Sequence, residues 1–292
     1  MELKALFFLF ILGCNFSIFG QENLKSVKFQ LEQNNYTVAL EILERNHSDS
    51  EFGKLYLGDI NSHLKHWDEA ISYYEKLVEL HPNSALYNFK MGGAMGMKAM
   101  EINKFQAAFL IPDIKKYLEK AVALDPEHIE SRRALAQLYL ELPSVLGGGL
   151  DKSLAHTKKL EELNELDYRI AMAAIYAYKD KEEISGEMIK KAIEKSQAKR
   201  SLILRNYMYF ELAQEAVRYK VAASEVDGLM KKYISGFNYL DLKTPAEAYL
   251  KLAQLSEKRG NKKAATKYIS KSLDYDAKAE IALELQEDIQ DM

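Results

Sequence analysis

Residues 51–84 read EFGKLYLGDINSHLKHWDEAISYYEKLVELHPNS, and this stretch decides the fold class. Its apolar residues recur at intervals of three and four, the spacing that places them on one face of an α-helix. Gly58 and Ala70 are small, as is required where two helices cross at short distance, because a larger side chain would push the axes apart. Pro82 cannot continue a helix and therefore ends the unit. The stretch predicts two antiparallel helices and a turn into the next unit.

The order of side chains in this stretch resembles a tetratricopeptide repeat, a unit of 34 residues with a Leu-Gly pair, an Ala, an aromatic residue and a Pro at fixed separations. The residues that match are Leu57, Gly58, Ala70, Tyr74 and Pro82. The resemblance implies an all-α fold, an α-solenoid of antiparallel helix pairs wound into a right-handed superhelix. It also implies that the first helix of each pair lines the concave face.

A second good match spans residues 246–279. Tyr249, Leu252, Ala253, Gly260, Ala265 and Ile269 fall there at the same mutual spacing. Ile269 and Ala277 stand where the family pattern has an aromatic residue and a Pro, which weakens the exit turn and leaves the helix pair intact. Because apolar residues keep the helical spacing almost throughout, residues 21–292 are predicted to form one helical repeat domain.

The repeat is stretched between these two matches. Pro82 and Pro126 lie about ten residues farther apart than one 34-residue repeat, which predicts lengthened helices with a short connection near Pro112. Within this region, residues 91–97 read MGGAMGM. Their small and soft side chains indicate either a tightly packed helix crossing or the floor of a groove for an apolar ligand or partner helix.

The following pair contains a glycine loop at residues 143–149. Leu135 and Ala136 are predicted in the first helix of this pair and Ala155 in the second, with the loop between them. The loop is interpreted either as a flexible surface loop or as a lid over the concave groove.

The first twenty residues have the features of an export signal. Lys4 supplies a cation, residues 5–13 form an uninterrupted apolar run, and the small Gly20 precedes polar residues. Residues 1–20 are therefore predicted to be a signal peptide. The mature protein is expected to be exported to the periplasm or the cell envelope.

The one cysteine of the chain, Cys14, offers an alternative mode of export. Residues 11–14 read ILGC and resemble a bacterial lipoprotein signal, in which the cysteine becomes the lipidated N-terminus. The apolar residues 16–19 favour export without a lipid anchor, because a lipoprotein usually begins with a polar tether.

Charge and residue content exclude several function classes. The 292 residues include 40 Lys and Arg and 43 Asp and Glu, a net charge of −3, so no global basic field would collect nucleic acid. No stretch after the leader approaches the ~18 apolar residues of a membrane span. Asp59, His63 and His66 come nearest to a metal cluster, although His66 also suits a turn where a polar ring meets water. We predict no catalytic, cofactor-binding or metal-binding residues.

The repeat register predicts where a partner would bind. The family's best-understood ligand site is a cationic clamp on the carboxylates of a peptide C-terminus, and among the matching positions here Arg133 and Gln137 alone suit that role. We therefore predict a mixed apolar and polar groove in place of the clamp. The residues predicted to line it are Leu55, Asp59, Phe89, Arg133, Gln137 and Tyr176.

These observations predict a non-catalytic scaffold or adaptor that binds another protein or peptide in its concave groove. The alternative is an extracytoplasmic component that binds a small apolar ligand or lipid, because residues 142–148 loosely resemble a motif in the repeat-containing T component of TRAP transporters. An enzyme is disfavoured, since no set of acid, base and nucleophile converges in the pattern. The sequence specifies neither the partner nor the oligomeric state.

Overall fold

The computed structural model describes residues 25–292, which form α-helices and two short 3₁₀ segments and contain no β-strand. The predicted all-α fold is confirmed. The predicted signal peptide at residues 1–20, with Cys14, lies outside the described residues. The chain divides into two compact units, one reaching to Ile114 and including Asn238–Leu240, the other comprising Lys115–Phe237 and Asp241–Met292.

The first unit is built from helices α1 to α5 and the start of α6. Their bounds are α1 (residues 25–32), α2 (Tyr36–His47), α3 (Glu51–His63), α4 (Trp67–Leu80), α5 (Ala85–Glu101) and α6 (Lys104–Leu124). Because α5 and α6 are longer than the helices before them, the predicted lengthening is observed.

The second unit contains the rest of α6 and nine further helices among its described residues. Their bounds are α7 (Ile129–Glu141), α8 (Leu150–Leu163), α9 (Glu165–Tyr178), α10 (Glu182–Ala198), α11 (Tyr207–Arg218), α12 (Val226–Ser235), α13 (Pro245–Lys258), α14 (Lys262–Tyr275) and α15 (Glu280–Gln290). The 3₁₀ segments are Ser144–Leu146 and Arg200–Leu202. Within the two units the most extensive packing is between consecutive helices, such as α3 with α4, α7 with α8, α9 with α10 and α13 with α14.

The predicted small residues lie at the helix crossings. Ala70, Ala253 and Ala265 are fully buried, and Gly58 is buried beside the ring of Tyr74. A Cβ on Gly58 would lie 2.5 Å from the Cε1 atom of that ring. The short distance between α3 and α4 is thus set by the absence of a side chain at this position.

Five helix pairs share one turn between their two helices. In each, an amide donates to a carbonyl five residues earlier, the bond that defines a Schellman motif at a helix C-terminus. The donor and acceptor residues are Asn35 and Gln30, His66 and Asn61, Lys181 and Tyr176, Val221 and Ala216, and Asn261 and Ser256. The residue before each donor has a positive φ, and it is glycine in the last of these turns, at Gly260 (φ 67°).

Substitution of Gly260 is therefore expected to destabilise the protein because of its positive φ alone. A Cβ would meet no atom within 4 Å at Gly260 or at Gly228, which lies in α12. Gly260→Ala should cost about 1 kcal/mol of unfolding free energy, because L-residues are strained in the left-handed region. The matched Gly228→Ala should gain up to about 1 kcal/mol from helix propensity. Urea unfolding followed by circular dichroism measures both, and equal effects would contradict the turn assignment.

The connection predicted near Pro112 is wrong. Helix α5 ends at Glu101 and α6 begins at Lys104, and Pro112 lies inside α6. The side chain of Asn103 causes the earlier restart, because its Oδ1 accepts from the amide of Gln106 at 3.0 Å and caps α6. The proline removes one hydrogen bond of this helix, which the rest of α6 tolerates.

Ala155 lies in the second helix of its pair, α8, as predicted, but it is not at the crossing with α7. It is exposed, and the buried small residue is Ser153, two positions earlier. The Ser153 hydroxyl donates to the carbonyl of Ala136 at 2.7 Å, so its polar atom is satisfied in the interface. Equivalent bonds, both 2.9 Å long, join the Ser185 hydroxyl to the carbonyl of Ala173 and the Ser272 hydroxyl to that of Ala246.

The glycine loop forms a compact turn with internal hydrogen bonds. Its centre is a 3₁₀ segment, and the amide of Gly149 donates to the carbonyl of Tyr139 at 2.8 Å. A Cβ on Gly148 would lie 1.9 Å from the carbonyl oxygen of Leu142, which explains why a glycine is needed there.

Candidate functional site

In the first unit, three of the predicted groove residues lie on first helices. Leu55 and Asp59 are on α3 and Phe89 is on α5, and both apolar side chains are partly exposed. Asp59 is buried, accepts a hydrogen bond from the Tyr74 hydroxyl at 2.7 Å and lies 2.8 Å from the Lys90 ammonium. Asp59 therefore joins α3 to α4 and α5, and Leu55 and Phe89 offer the accessible surface.

In the second unit, the other three predicted residues also lie on first helices. Arg133 and Gln137 are on α7, and Tyr176 is on α9. Gln137 is exposed, and its amide donates to Glu141 of the same helix at 3.0 Å. Tyr176 is partly exposed, and its carbonyl closes the Schellman turn after α9.

Arg133 is the centre of a charged cluster that links three first helices of the second unit. Its Nη1 donates to Asp167 Oδ1 on α9 at 2.6 Å, and its Nη2 pairs with Glu211 on α11. Arg205, which precedes α11, also pairs with Asp167. The side chain of Asp167 is fully buried, whereas about a fifth of the Arg133 side chain is exposed. The guanidinium of Arg133 is thus fixed in one orientation by two carboxylates on different helices.

The Asp167 carboxyl is buried, so its charge depends on the groups around it. The Asn164 side chain caps α9 by accepting from the amides of Leu166 and Asp167, at 2.9 and 3.2 Å. Burial raises the pKa of Asp167, and the guanidinium of Arg133 opposes that shift. Among residues 25–292, Glu211 Oε2 is buried and has no hydrogen-bond partner. The cluster therefore joins three helices through polar contacts and retains one unpaired acceptor, Glu211 Oε2.

The repeat register predicts Arg133 on this surface but not the other three members of its cluster, Asp167, Arg205 and Glu211. The bonds to Asp167 and Glu211 span 34 and 78 positions, beyond the reach of repeat register. One signal was present, since Asp167 lies between Leu166 and Ile170 on the side of α9 that is buried. A carboxylate at a buried helical position requires a buried cation or several donors.

A shallow cleft in the first unit lies at the turn between α4 and α5. It has a volume of about 520 Å³, and its lining residues are Glu51, Leu80, His81, Pro82, Asn83, Ser84 and Tyr87. His81 Nε2 lies 3.1 Å from Glu51, and the hydrogen bond from Tyr87 lowers the pKa of that carboxyl. Burial raises the pKa of Tyr87 to about 12. These contacts tie the turn to α3.

The residues considered for a metal cluster have other partners. Asp59 binds Tyr74 and Lys90, the ring of His63 packs 4.3 Å from that of Tyr36, and His66 Nδ1 lies 3.3 Å from Asn61. Within the described part of the chain, no three His, Cys, Asp or Glu side chains are grouped to hold a metal ion. None of the helices described there combines the length and the hydropathy needed to cross a bilayer.

The fold and these surfaces define a helical repeat protein. Models of the tetratricopeptide repeat match residues 54–84 and residues 246–278. These matches show two tetratricopeptide repeats in the chain and support a protein of that family. Such repeats support a protein-interaction scaffold and are generally non-catalytic.

Two solved structures share the fold. Yeast Tom70 is 16% identical, with a TM-score of 0.54 over 88% of this chain and 58% of that one. A thermophilic tetratricopeptide repeat protein of Thermus thermophilus is 17% identical, with a TM-score of 0.52 over 68% of this chain and 98% of that one. A search of curated protein sequences found no match.

Proposed function

We propose that this protein is a non-catalytic, exported scaffold that binds another protein or peptide on the exposed faces of its first helices. The observation that carries the proposal is the Arg133 cluster, which fixes one partly exposed arginine side chain across α7, α9 and α11. A group held in place before binding loses little conformational freedom when a partner arrives, so it binds more tightly than a mobile side chain.

The neighbours of Arg133 supply the rest of the binding surface in the second unit. Gln137 lies one turn further along α7 and is exposed, and Tyr176 adds a partly exposed aromatic ring on α9. Amide and guanidinium groups recognise main-chain carbonyls and carboxylates, and an aromatic ring contributes apolar area. Leu55 and Phe89 are the corresponding apolar positions that we propose in the first unit.

Site-specific crosslinking tests the position of this surface. A photoreactive side chain at Gln137, on first helix α7, is expected to capture one stoichiometric protein or peptide from an envelope extract. The matched position is the exposed Lys158 on second helix α8, where we expect no adduct. Equal capture at both positions, or capture at Lys158 alone, would contradict binding on first helices.

Export has its own test. Protein isolated from cells and analysed by N-terminal sequencing is expected to begin just after Gly20. A chain that retains Met1 would contradict export through a cleaved signal, and a lipidated Cys14 would favour the lipoprotein alternative.

A further inference from the structure

One face of α3 in the first unit is covered by a residue from far along the chain. The ring of Tyr56 stacks on that of Tyr239, with centroids 5.6 Å apart and planes inclined by 22°. The ring of Phe52, one turn earlier on α3, lies 4.5 Å from that of Tyr56. Asn238–Leu240 belong to the first unit, although the residues on either side belong to the second. We call Phe52 and Tyr56 the α3 aromatic face.

The covering residue comes from a long connection that contains no helix. Helix α12 ends at Ser235 and α13 begins at Pro245, which leaves the nine residues 236–244 between them. Connections between packed helices usually have ~2–8 residues, and longer ones are often functional. Within this connection, Asn238 Oδ1 accepts from the amide of Leu240 at 3.0 Å. This Asx turn has Tyr239 at its centre.

Hydrogen bonds fix the connection on both sides of Tyr239. The side-chain amide of Asn206 donates to the Tyr233 carbonyl and to Asp241 Oδ2, both at 2.9 Å. The Tyr233 hydroxyl donates to the carbonyl of Lys243. Because none of these bonds involves Tyr239, its ring can leave Tyr56 without breaking them.

The contact between Tyr239 and α3 is of the kind that a peptide side chain makes with a groove. A stacked aromatic pair contributes about 0.5–1.5 kcal/mol beyond the area that it buries. Burial raises the pKa of the Tyr239 hydroxyl, and the nearby Tyr56 hydroxyl and Asp59 carboxylate add to the rise. The partly exposed Leu55 precedes Tyr56 on the same helix. Tyr239 therefore lies beside two of the predicted groove residues, Leu55 and Asp59.

We propose that the α3 aromatic face binds an aromatic side chain from an extended segment of the partner, and that Tyr239 is an internal occupant which this side chain displaces. The inference rests on the proposed scaffold function, and it adds the chemistry of the partner and a means of regulating access. An occupant that is in place about nine-tenths of the time weakens the apparent affinity for a partner about tenfold. Because Tyr239 stays tethered, it returns when the partner leaves.

A labelled peptide with the sequence of residues 236–243, GFNYLDLK, tests the proposal by fluorescence anisotropy. In the full chain with Tyr239→Ala the face is open, and the peptide should bind about tenfold more tightly than to the unaltered chain. Adding Tyr56→Ala should abolish this gain. The matched control, Leu240→Ala, changes the exposed neighbour of Tyr239 and should leave the affinity unchanged. Equal binding by the Tyr239→Ala and unaltered chains, or a gain that survives Tyr56→Ala, overturns the proposal.

Fluorine NMR of the folded full chain reports on Tyr239 directly and does not depend on an alanine variant. Fluorotyrosine at position 239 should resonate away from its position in the free peptide, because the Tyr56 ring stacks on it. Excess unlabelled peptide should move the resonance, saturably, to the position of the free peptide. A resonance that is already there, or that the peptide leaves unchanged, overturns the proposal. Crosslinking at Gln137 concerns α7 in the second unit, so either test can fail while the other succeeds.

Discussion

Asp167→Ala is expected to remove about 3–5 kcal/mol from the unfolding free energy of the second unit. The carboxylate is fully buried between Arg133 and Arg205, so its loss leaves two guanidinium groups partly buried without their shared partner. Glu211 still pairs with Arg133, which keeps the expected loss within this range. Urea unfolding, followed by the circular dichroism of the purified chain, provides the measurement.

Two further variants show whether charge pairing causes the effect. Asp227→Ala breaks an exposed pair with Arg259, 3.1 Å long, and should cost about 1 kcal/mol or less. Asp167→Asn keeps an acceptor oxygen at the same place and should cost less than Asp167→Ala. If Asp167→Ala and Asp227→Ala destabilise equally, the cluster does not hold α7, α9 and α11 together.

Gly58→Ala is expected to destabilise the first unit by about 1–3 kcal/mol, although alanine is the better helix former. The new Cβ would lie 2.5 Å from the ring of Tyr74, and that ring cannot move aside easily. Its hydroxyl donates to Asp59 at 2.7 Å and lies 3.2 Å from the Ser62 hydroxyl, and its side chain is fully enclosed.

Gly93→Ala supplies the matched control in a neighbouring helix. Its Cβ would have Phe89 as nearest neighbour at 4.0 Å, an ordinary contact distance. The substitution should therefore stabilise the protein by up to about 1 kcal/mol through helix propensity. Thermal and urea unfolding of the two variants should shift in opposite directions, and a stabilising Gly58→Ala would refute the close crossing of α3 and α4.

The helix pairs were predictable because their determinants are local. Small residues such as Gly58 and Ala265 lie at fixed sequence distances from apolar positions. This spacing predicts a helix crossing even when the residues of the facing helix are not known. The buried small residue of α8, Ser153, was not predicted, because it combines small size with a hydroxyl, and the carbonyl that satisfies this hydroxyl lies 17 positions away. The α5–α6 connection was predicted at the wrong place because proline usually ends a helix. Here the N-cap at Asn103 starts α6 before Pro112, and the helix continues through the proline.

The candidate site was predictable only in part, for the same reason. Repeat register assigns Arg133, Gln137 and Tyr176 to first helices, where the structure has them. Register says nothing about burial or ion pairing, so it did not distinguish Asp59, which joins three helices, from the more exposed Leu55 beside it. Whether these residues contact a partner stays a prediction.

The serine hydroxyls at the crossings have a consequence for protein engineering. The hydroxyls of Ser153, Ser185 and Ser272 each donate a hydrogen bond to a carbonyl of the facing helix. Because a hydrogen bond is directional, a shift of one helix along the other by a single turn would break it. These bonds fix the register of the two helices at their crossing, whereas the length of each helix at the ends of the pair can vary. Grafted sequences should therefore be placed at hairpin ends, where added length leaves the alignment of the neighbouring pairs unchanged.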